Sequence, residues 1–157
     1  MAGLADDTDA VLFVGYHAKA GIAGSALAHT IAGGLIADVR CSGHSLGELG
    51  LSIALAAHYG VPPVLVSGHD TIATEAAEVA PGMRCVVVKT ALGARSAALL
   101  HPDEARDRIQ QAVPDALANR ESVRPLRFDA RIRIAAAVWH NEHTRQPVMR
   151  SLTAYDR

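Results

Sequence analysis

Short apolar runs alternate with amphipathic segments along most of this chain. Short continuous apolar runs are typical of buried strands, and they lie at residues 11–16, 35–41, 64–66, 84–88 and 131–138. Helical spacing, glycine or Pro-Gly stops and a proline near a helix start predict helices within residues 44–60, 70–82 and 101–121. The alternation predicts an α/β fold in a single domain, residues 1–157, with a mostly parallel sheet flanked by helices.

Three segments are less regular. Residues 18–32 carry a partial helical pattern that glycines weaken. Pro114 lies inside the third predicted helix and predicts a kink or a split there. Residues 140–157 show no strong pattern and are expected to form a peripheral tail.

Composition and charge narrow the class of protein. The formal net charge of −1 gives no basic excess to follow a phosphate backbone, which argues against a nucleic-acid partner. No apolar run approaches the roughly 20 residues of a membrane helix, and the N-terminus lacks a signal-peptide pattern. The two cysteines, Cys41 and Cys85, form no CxxC pair, so we expect reduced thiols in a cytoplasmic protein.

Polar residues directly follow several of the predicted strands. They are His17, Asp70, Lys89 and His140. Ligands of parallel α/β sheets bind outside the carboxyl ends of the strands, so this shared placement indicates a site. Turn-forming residues also collect at strand ends, which is the competing explanation.

Each candidate for chemistry also has an ordinary structural interpretation. His17 is either a metal ligand or acid–base group, or a histidine bonded to a loop carbonyl. Glu48 is either a metal ligand or part of a capping box with Ser45. His29 fits a catalytic imidazole and also a core histidine. His69, which stands at a turn, is predicted to be solvated.

The segment HNEH, residues 140–143, places two imidazoles three positions apart. On a helix that spacing could share a metal, but no helix is predicted here. An exposed polar loop is therefore the preferred interpretation of this segment.

Several segments together resemble the zinc-dependent D-aminopeptidases. In chain order they are LFVGYHAKAG, ALAHT, LGELGLSIALAAHYGVPPVLVSGHD and VVVKTALGARSAALLHPDEA. The resemblance implies that His17 and Glu48 are zinc ligands and that His29 is the catalytic histidine. Asp70 and Lys89 lie in recurring family motifs and are assigned to the site region. The implied activity is metal-dependent hydrolysis of short peptides or amides with D-amino-acid residues, by a large homo-oligomer.

The chain also departs from that family. The family's Asp-x-Glu metal motif and a further ligand histidine have no counterpart ahead of His17. We therefore expect a truncated family domain in which the family's dinuclear zinc site is incomplete. A missing strand would also expose a sheet edge, which favours pairing with a partner.

Several explanations of this departure stay open at the level of sequence. The chain is a fragment of an ordinary enzyme, or a second chain supplies the missing ligands. Alternatively the scaffold is reused, as a non-catalytic binding or assembly subunit or with a different metal site. A metal-free hydrolase or biosynthetic enzyme that uses His17 and His29 is a further alternative.

Overall fold

The computed structural model describes residues 3–4, 7–128 and 131–139 in full and residues 147–152 through their backbone. Its strands are β1 (Val11–Tyr16), β2 (Ile36–Cys41), β3 (His44–Ser45), β4 (Pro63–His69), β5 (Arg84–Gly93), β6 (Ser96–Leu99), β7 (Ile134–Trp139) and β8 (Pro147–Leu152). Its helices are α1 (Glu48–His58), α2 (Ile72–Val79) and α3 (Pro102–Ala118), and a 3-10 turn spans Arg120–Ser122.

The larger part of the core surrounds a mostly parallel sheet with the strand order β1-β4-β5-β6. β1, β4 and β5 are parallel, and β6 returns antiparallel to β5. Every residue of β4 is buried, as its continuous apolar run predicts. One core cluster joins β1 and β4 to α1 and α2, and a second joins β4 and β5 to α3. The predicted α/β fold with a mostly parallel sheet and flanking helices is confirmed.

A second, antiparallel sheet was not predicted. Its order is β3-β2-β7-β8. The strand expected near residues 35–41 is present as β2, but it pairs with β7, which is 93 positions further along at the Cys41–Ile134 pair. β8 lies within the segment that was expected to be a peripheral tail, and it pairs with β7 along its whole length. The remainder of that segment, including His140 and His143, lies outside the described residues.

Local structure differs from the sequence pattern at two places. Residues 18–32 form turns and bends instead of a helix. Pro114 does not split α3, which continues from Pro102 to Ala118. Within the part of the chain described here, the helices lack the length and apolar character needed to cross a membrane.

Candidate metal centre

Three side chains from separate parts of the fold meet beyond the carboxyl end of β1. His17 directly follows that strand, His29 lies in the turns that come next, and Glu48 is the first residue of α1. The Glu48 Oε1 atom lies 3.7 Å from His17 Nε2 and 3.8 Å from His29 Nε2. Each of the three residues offers one donor atom, and these atoms all lie within 4.8 Å of one another. The structure thus brings together the three residues that the resemblance singled out.

The hydrogen bonds of the two imidazoles leave their Nε2 atoms available. His17 Nδ1 lies 3.0 Å from the carbonyl oxygen of Ala18, and His29 Nδ1 lies 2.7 Å from that of Leu27. A carbonyl oxygen only accepts, so in each neutral ring Nδ1 carries the proton and Nε2 carries the lone pair. A histidine that donates Nδ1–H to a carbonyl is oriented as metal-bound histidines ordinarily are.

Glu48 does not take part in the capping box that its sequence context permits. α1 begins after Gly47 without a side-chain cap. Ser45 instead donates its hydroxyl to Asp38 Oδ1 at 2.6 Å. Glu48 Oε1 accepts a hydrogen bond of 2.8 Å from the amide of Ile31. The capping-box interpretation is therefore wrong, and the Glu48 carboxylate faces the two histidines.

The second oxygen of Glu48 is the clearest sign that the cluster suits a cation. Oε2 is buried and has no hydrogen-bond partner among the described residues. A buried hydrogen-bond acceptor without a partner lowers the stability of a fold by roughly 1–3 kcal/mol. Native proteins therefore rarely contain one unless it has a function. Two imidazole nitrogens and a carboxylate oxygen are ligand types that zinc commonly takes.

The spacing of the donors also fits zinc. Two ligand atoms on a tetrahedral zinc with bonds of about 2.1 Å lie about 3.4 Å apart. The observed separations of 3.7 and 3.8 Å exceed that value by only a few tenths of an ångström. Small side-chain rotations are enough to close such gaps, so the residues present fit a zinc ion.

The turn that supplies Ile31 holds a conformation that is costly for its residue type. Ile31 has a φ of 58°, in the left-handed region that a β-branched side chain rarely adopts. Its amide is the group that donates to Glu48. Conformational strain of this kind, of order 1–3 kcal/mol, persists only where the surrounding structure fixes it, and it is concentrated at functional sites.

Asp70 and Lys89 stand outside the donor cluster. Asp70 Oδ1 accepts from the Ala91 amide at 3.1 Å, and the Asp70 amide donates to the Lys89 carbonyl at 3.1 Å. These bonds tie the end of β4 to β5, which is a structural role. The assignment of both side chains to the site region stays a prediction.

His69 is a component of the site region that the sequence interpretation missed. It is only 2% exposed, so the prediction of a solvated histidine was wrong. Its Nε2 accepts from the Ala18 amide at 3.1 Å, and its Nδ1 contacts Thr71 Oγ1 at 2.8 Å. The Ala18 carbonyl in turn accepts from His17 Nδ1 and from the His29 amide. His69 therefore anchors Ala18, whose carbonyl holds the His17 ring and the backbone of His29.

Burial lowers the pKa of His69, and the positive charges of Lys89 and His17 act in the same direction, while Asp70 opposes them. A neutral ring is the form that can accept from the Ala18 amide through Nε2. The sequence offers one signal for this role, the position of His69 at the end of a buried strand.

Comparisons with known proteins show which proteins this chain is similar to. The D-aminopeptidase of Bacillus subtilis (strain 168) is 33% identical over 124 residues, which cover 79% of this chain and 44% of that protein. The structure described as the Zn-dependent D-aminopeptidase DppA from Bacillus subtilis, a self-compartmentalizing protease, has a TM-score of 0.81 and 29% identity. That match covers 87% of this chain and 49% of the DppA chain.

The chain thus spans about half the length of the relatives it matches. The family model for the D-aminopeptidases, a group of peptidases, matches residues 1–152, almost the whole chain. This chain belongs to the D-aminopeptidase family.

Proposed function

We propose that this protein is a zinc-dependent hydrolase of the aminopeptidase type. Its substrates would be short peptides or amides with D-amino-acid residues, in keeping with relatives that are named D-aminopeptidases. The observation that carries the proposal is the convergence of two Nε2 lone pairs on a carboxylate whose second oxygen is buried without a partner among the described residues. Such a set of donors is better explained by binding of a cation than by a contribution to the stability of the fold.

His17 and Glu48 would hold the zinc, and His29 would have a different task. The rings of His17 and His29 are stacked, with centroids 3.9 Å apart and planes inclined by 18°. An imidazole binds a metal close to its own ring plane, along the lone pair. Rings stacked in nearly parallel planes direct their two lone pairs side by side, which disfavours the sharing of one ion. One of the two rings is therefore better suited to act on substrate.

His29 is the better placed of the two for proton transfer. Its side chain is 38% exposed, so a substrate can reach Nε2 from solvent. Its Nδ1–H is held by the Leu27 carbonyl, which keeps the reactive nitrogen directed at the cluster. From this position Nε2 would accept a proton from the attacking water through its lone pair and then give that proton to the leaving amine. A zinc ion bound beside it would supply Lewis-acid polarisation of the scissile carbonyl.

A further ligand would complete the site. Catalytic zinc sites ordinarily have three protein ligands, whereas His17 and Glu48 supply two. A second chain would supply the third ligand. β1 lies at the edge of its sheet with Val14 63% exposed, which favours association. We therefore propose that the protein is a homo-oligomer. We also propose a cytoplasmic location, with which the two free cysteines are compatible.

Zinc content and hydrolysis of a D-alanyl amide test the proposal together. We expect stoichiometric zinc in the purified protein, faster turnover of the D-alanyl than of the L-alanyl amide, and loss of turnover after chelation. His17→Ala and Glu48→Gln should lose bound zinc, while His29→Ala should keep zinc and lose about 10²–10⁴-fold in kcat. His101, whose side chain is 73% exposed on α3's N-cap, provides the matched control His101→Ala.

The outcomes separate the alternatives. Absence of both zinc and turnover in a folded sample would contradict the proposal. Turnover that survives exhaustive chelation would favour metal-free chemistry at His17 and His29. Zinc binding without turnover of any amide would favour a non-catalytic assembly subunit.

A further inference from the structure

Glu75 lies behind the site and joins the two segments that carry the proposed zinc ligands. It belongs to α2 and is only 4% exposed. Its Oε2 accepts a hydrogen bond of 2.9 Å from the amide of Lys19. Its Oε1 makes no well-formed hydrogen bond among the described residues, but it faces the backbone of Gly47, where a Cβ would lie 2.9 Å away.

The same two segments touch each other directly. A Cβ on Gly47 would lie 2.7 Å from the Cβ and 3.1 Å from the Cα of Lys19, so only glycine permits this approach. The Lys19 ammonium also donates to the Ser45 carbonyl at 2.9 Å. His17 is two residues before Lys19, and Glu48 is the residue after Gly47. The spacing of the two proposed ligands is therefore set through this contact.

We propose that Glu75 is a positioning residue that fixes the distance between His17 and Glu48. The proposal rests on the proposed function, because the distance matters for holding a metal. A charged acceptor forms shorter and stronger hydrogen bonds than a neutral one, and α2 provides a rigid base for it. Outer residues that orient metal ligands typically change metal affinity 10–100-fold when they are replaced.

The environment of Glu75 shows that this carboxylate is held at a cost. Burial raises the pKa of Glu75, and the Glu48 charge adds to the rise. The Lys19 amide, the Lys19 ammonium and the Gly47 amide oppose it without overcoming burial. Because an apolar or neutral side chain would often be less costly at such a position, stability gives no reason for a glutamate here.

Three variants test the proposal. Glu75→Ala removes both contacts, and Glu75→Gln leaves one amide oxygen, which can accept on only one side. Glu78→Ala is the matched control, since Glu78 is an exposed glutamate on the same helix. The readouts are the zinc dissociation constant from competition with a chromophoric chelator, the visible spectrum of the Co²⁺-loaded protein, and the thermal melting curve.

We expect zinc affinity to fall about 10–100-fold in Glu75→Ala and by a smaller factor in Glu75→Gln. The Co²⁺ spectrum should change in both, and Glu78→Ala should match the wild type. Wild-type zinc affinity in a folded Glu75→Ala would overturn the proposal. If Glu75→Ala does not fold, an unchanged zinc affinity in Glu75→Gln would overturn it instead.

Failure of the proposed function gives a different result. In that case the wild-type chain binds no zinc, and the ring-proton NMR shifts of His17 and His29 report the spacing directly. Positioning by Glu75 predicts that these shifts move in Glu75→Gln and stay constant in Glu78→Ala. Unchanged shifts in Glu75→Gln would overturn the positioning role whether or not zinc binds.

Discussion

Replacing Gly47 by alanine should push apart the two segments that carry His17 and Glu48. Gly47 has a φ of −91° and a ψ of −171°, an extended conformation that alanine adopts freely, so the effect is steric only. The new Cβ would lie 2.7 Å from Lys19 Cβ. Carbon atoms pack at about 3.5–4.0 Å, so this separation must grow by about 0.8 Å or more. The Lys19 Cα at 3.1 Å makes this a movement of backbone as well as of side chain.

The size of that movement decides the effect on zinc. If the whole movement of about 0.8 Å reached the ligands, the distance from His17 Nε2 to Glu48 Oε1 would increase from 3.7 Å to about 4.5 Å. A zinc ion with bonds of about 2.1 Å spans about 4.2 Å at most, even with its two ligands on opposite sides. We therefore expect at least a 10–100-fold loss of zinc affinity. kcat/KM for a D-alanyl amide should fall about 100-fold, and the unfolding free energy should drop by about 1–3 kcal/mol.

Gly34→Ala is the matched control, because a Cβ on Gly34 meets nothing within 4 Å. Zinc competition titrations and chemical denaturation of both variants measure the two effects separately. A folded Gly47→Ala that binds zinc as tightly as Gly34→Ala would refute the reasoning. It would mean that the approach of Lys19 to Gly47 does not control the ligand spacing.

Three further changes test other parts of the structure. A Cβ on Gly33 would lie 2.8 Å from His29 Cβ. Gly33→Ala should therefore lower kcat about 10-fold and leave the zinc affinity unchanged. Equal kcat values in Gly33→Ala and Gly34→Ala would contradict this expectation. Burial lowers the pKa of His69 from its ordinary 6.5, so below about pH 6.5 the unfolded chain takes up the proton first. The unfolding free energy from urea titrations should therefore fall from pH 7.5 to pH 5.5, and His69→Gln should flatten that fall; an unchanged pH slope in His69→Gln would contradict the assignment. Leu65 is fully buried in β4, so Leu65→Ala should lower the unfolding free energy by about 2–5 kcal/mol. A loss below about 1 kcal/mol would argue against the place of Leu65 in the core.

Local sequence was sufficient for most of the elements around the site. β1 has the predicted bounds, and α1 and α3 lie inside the predicted segments because their apolar spacing and stop signals act over a few residues. The carboxyl-end rule also directed attention to His17 before any comparison. These features depend on neighbours along the chain, and such neighbours can be read from the chain itself.

Local sequence was not sufficient for the second sheet. The apolar pattern of β2 predicts a strand but does not name its partner, and its partner β7 lies far along the chain. The pairing depends on long-range packing, which no short window of sequence contains.

The role of Glu48 shows the same limit at the site. Its sequence context favours a capping box with Ser45 and also permits a metal ligand. Only the folded chain brings the Ile31 amide and both histidines to Oε1 and leaves Oε2 buried without a partner among the described residues. The resemblance favours the ligand role, which stays a prediction, whereas the residues around Glu48 alone do not favour it.

The sequence by itself determined the strands and helices near the site, and it made His17, His29 and Glu48 candidates. Tertiary structure decided which atoms meet. It places the two Nε2 atoms beside the Glu48 carboxylate and His69 Nε2 at the Ala18 amide. It also places the Glu75 carboxylate at the Lys19 amide, next to Gly47. Burial and long-range hydrogen bonds produce these arrangements. They depend on segments far apart in the chain, so they exist only once the chain has folded.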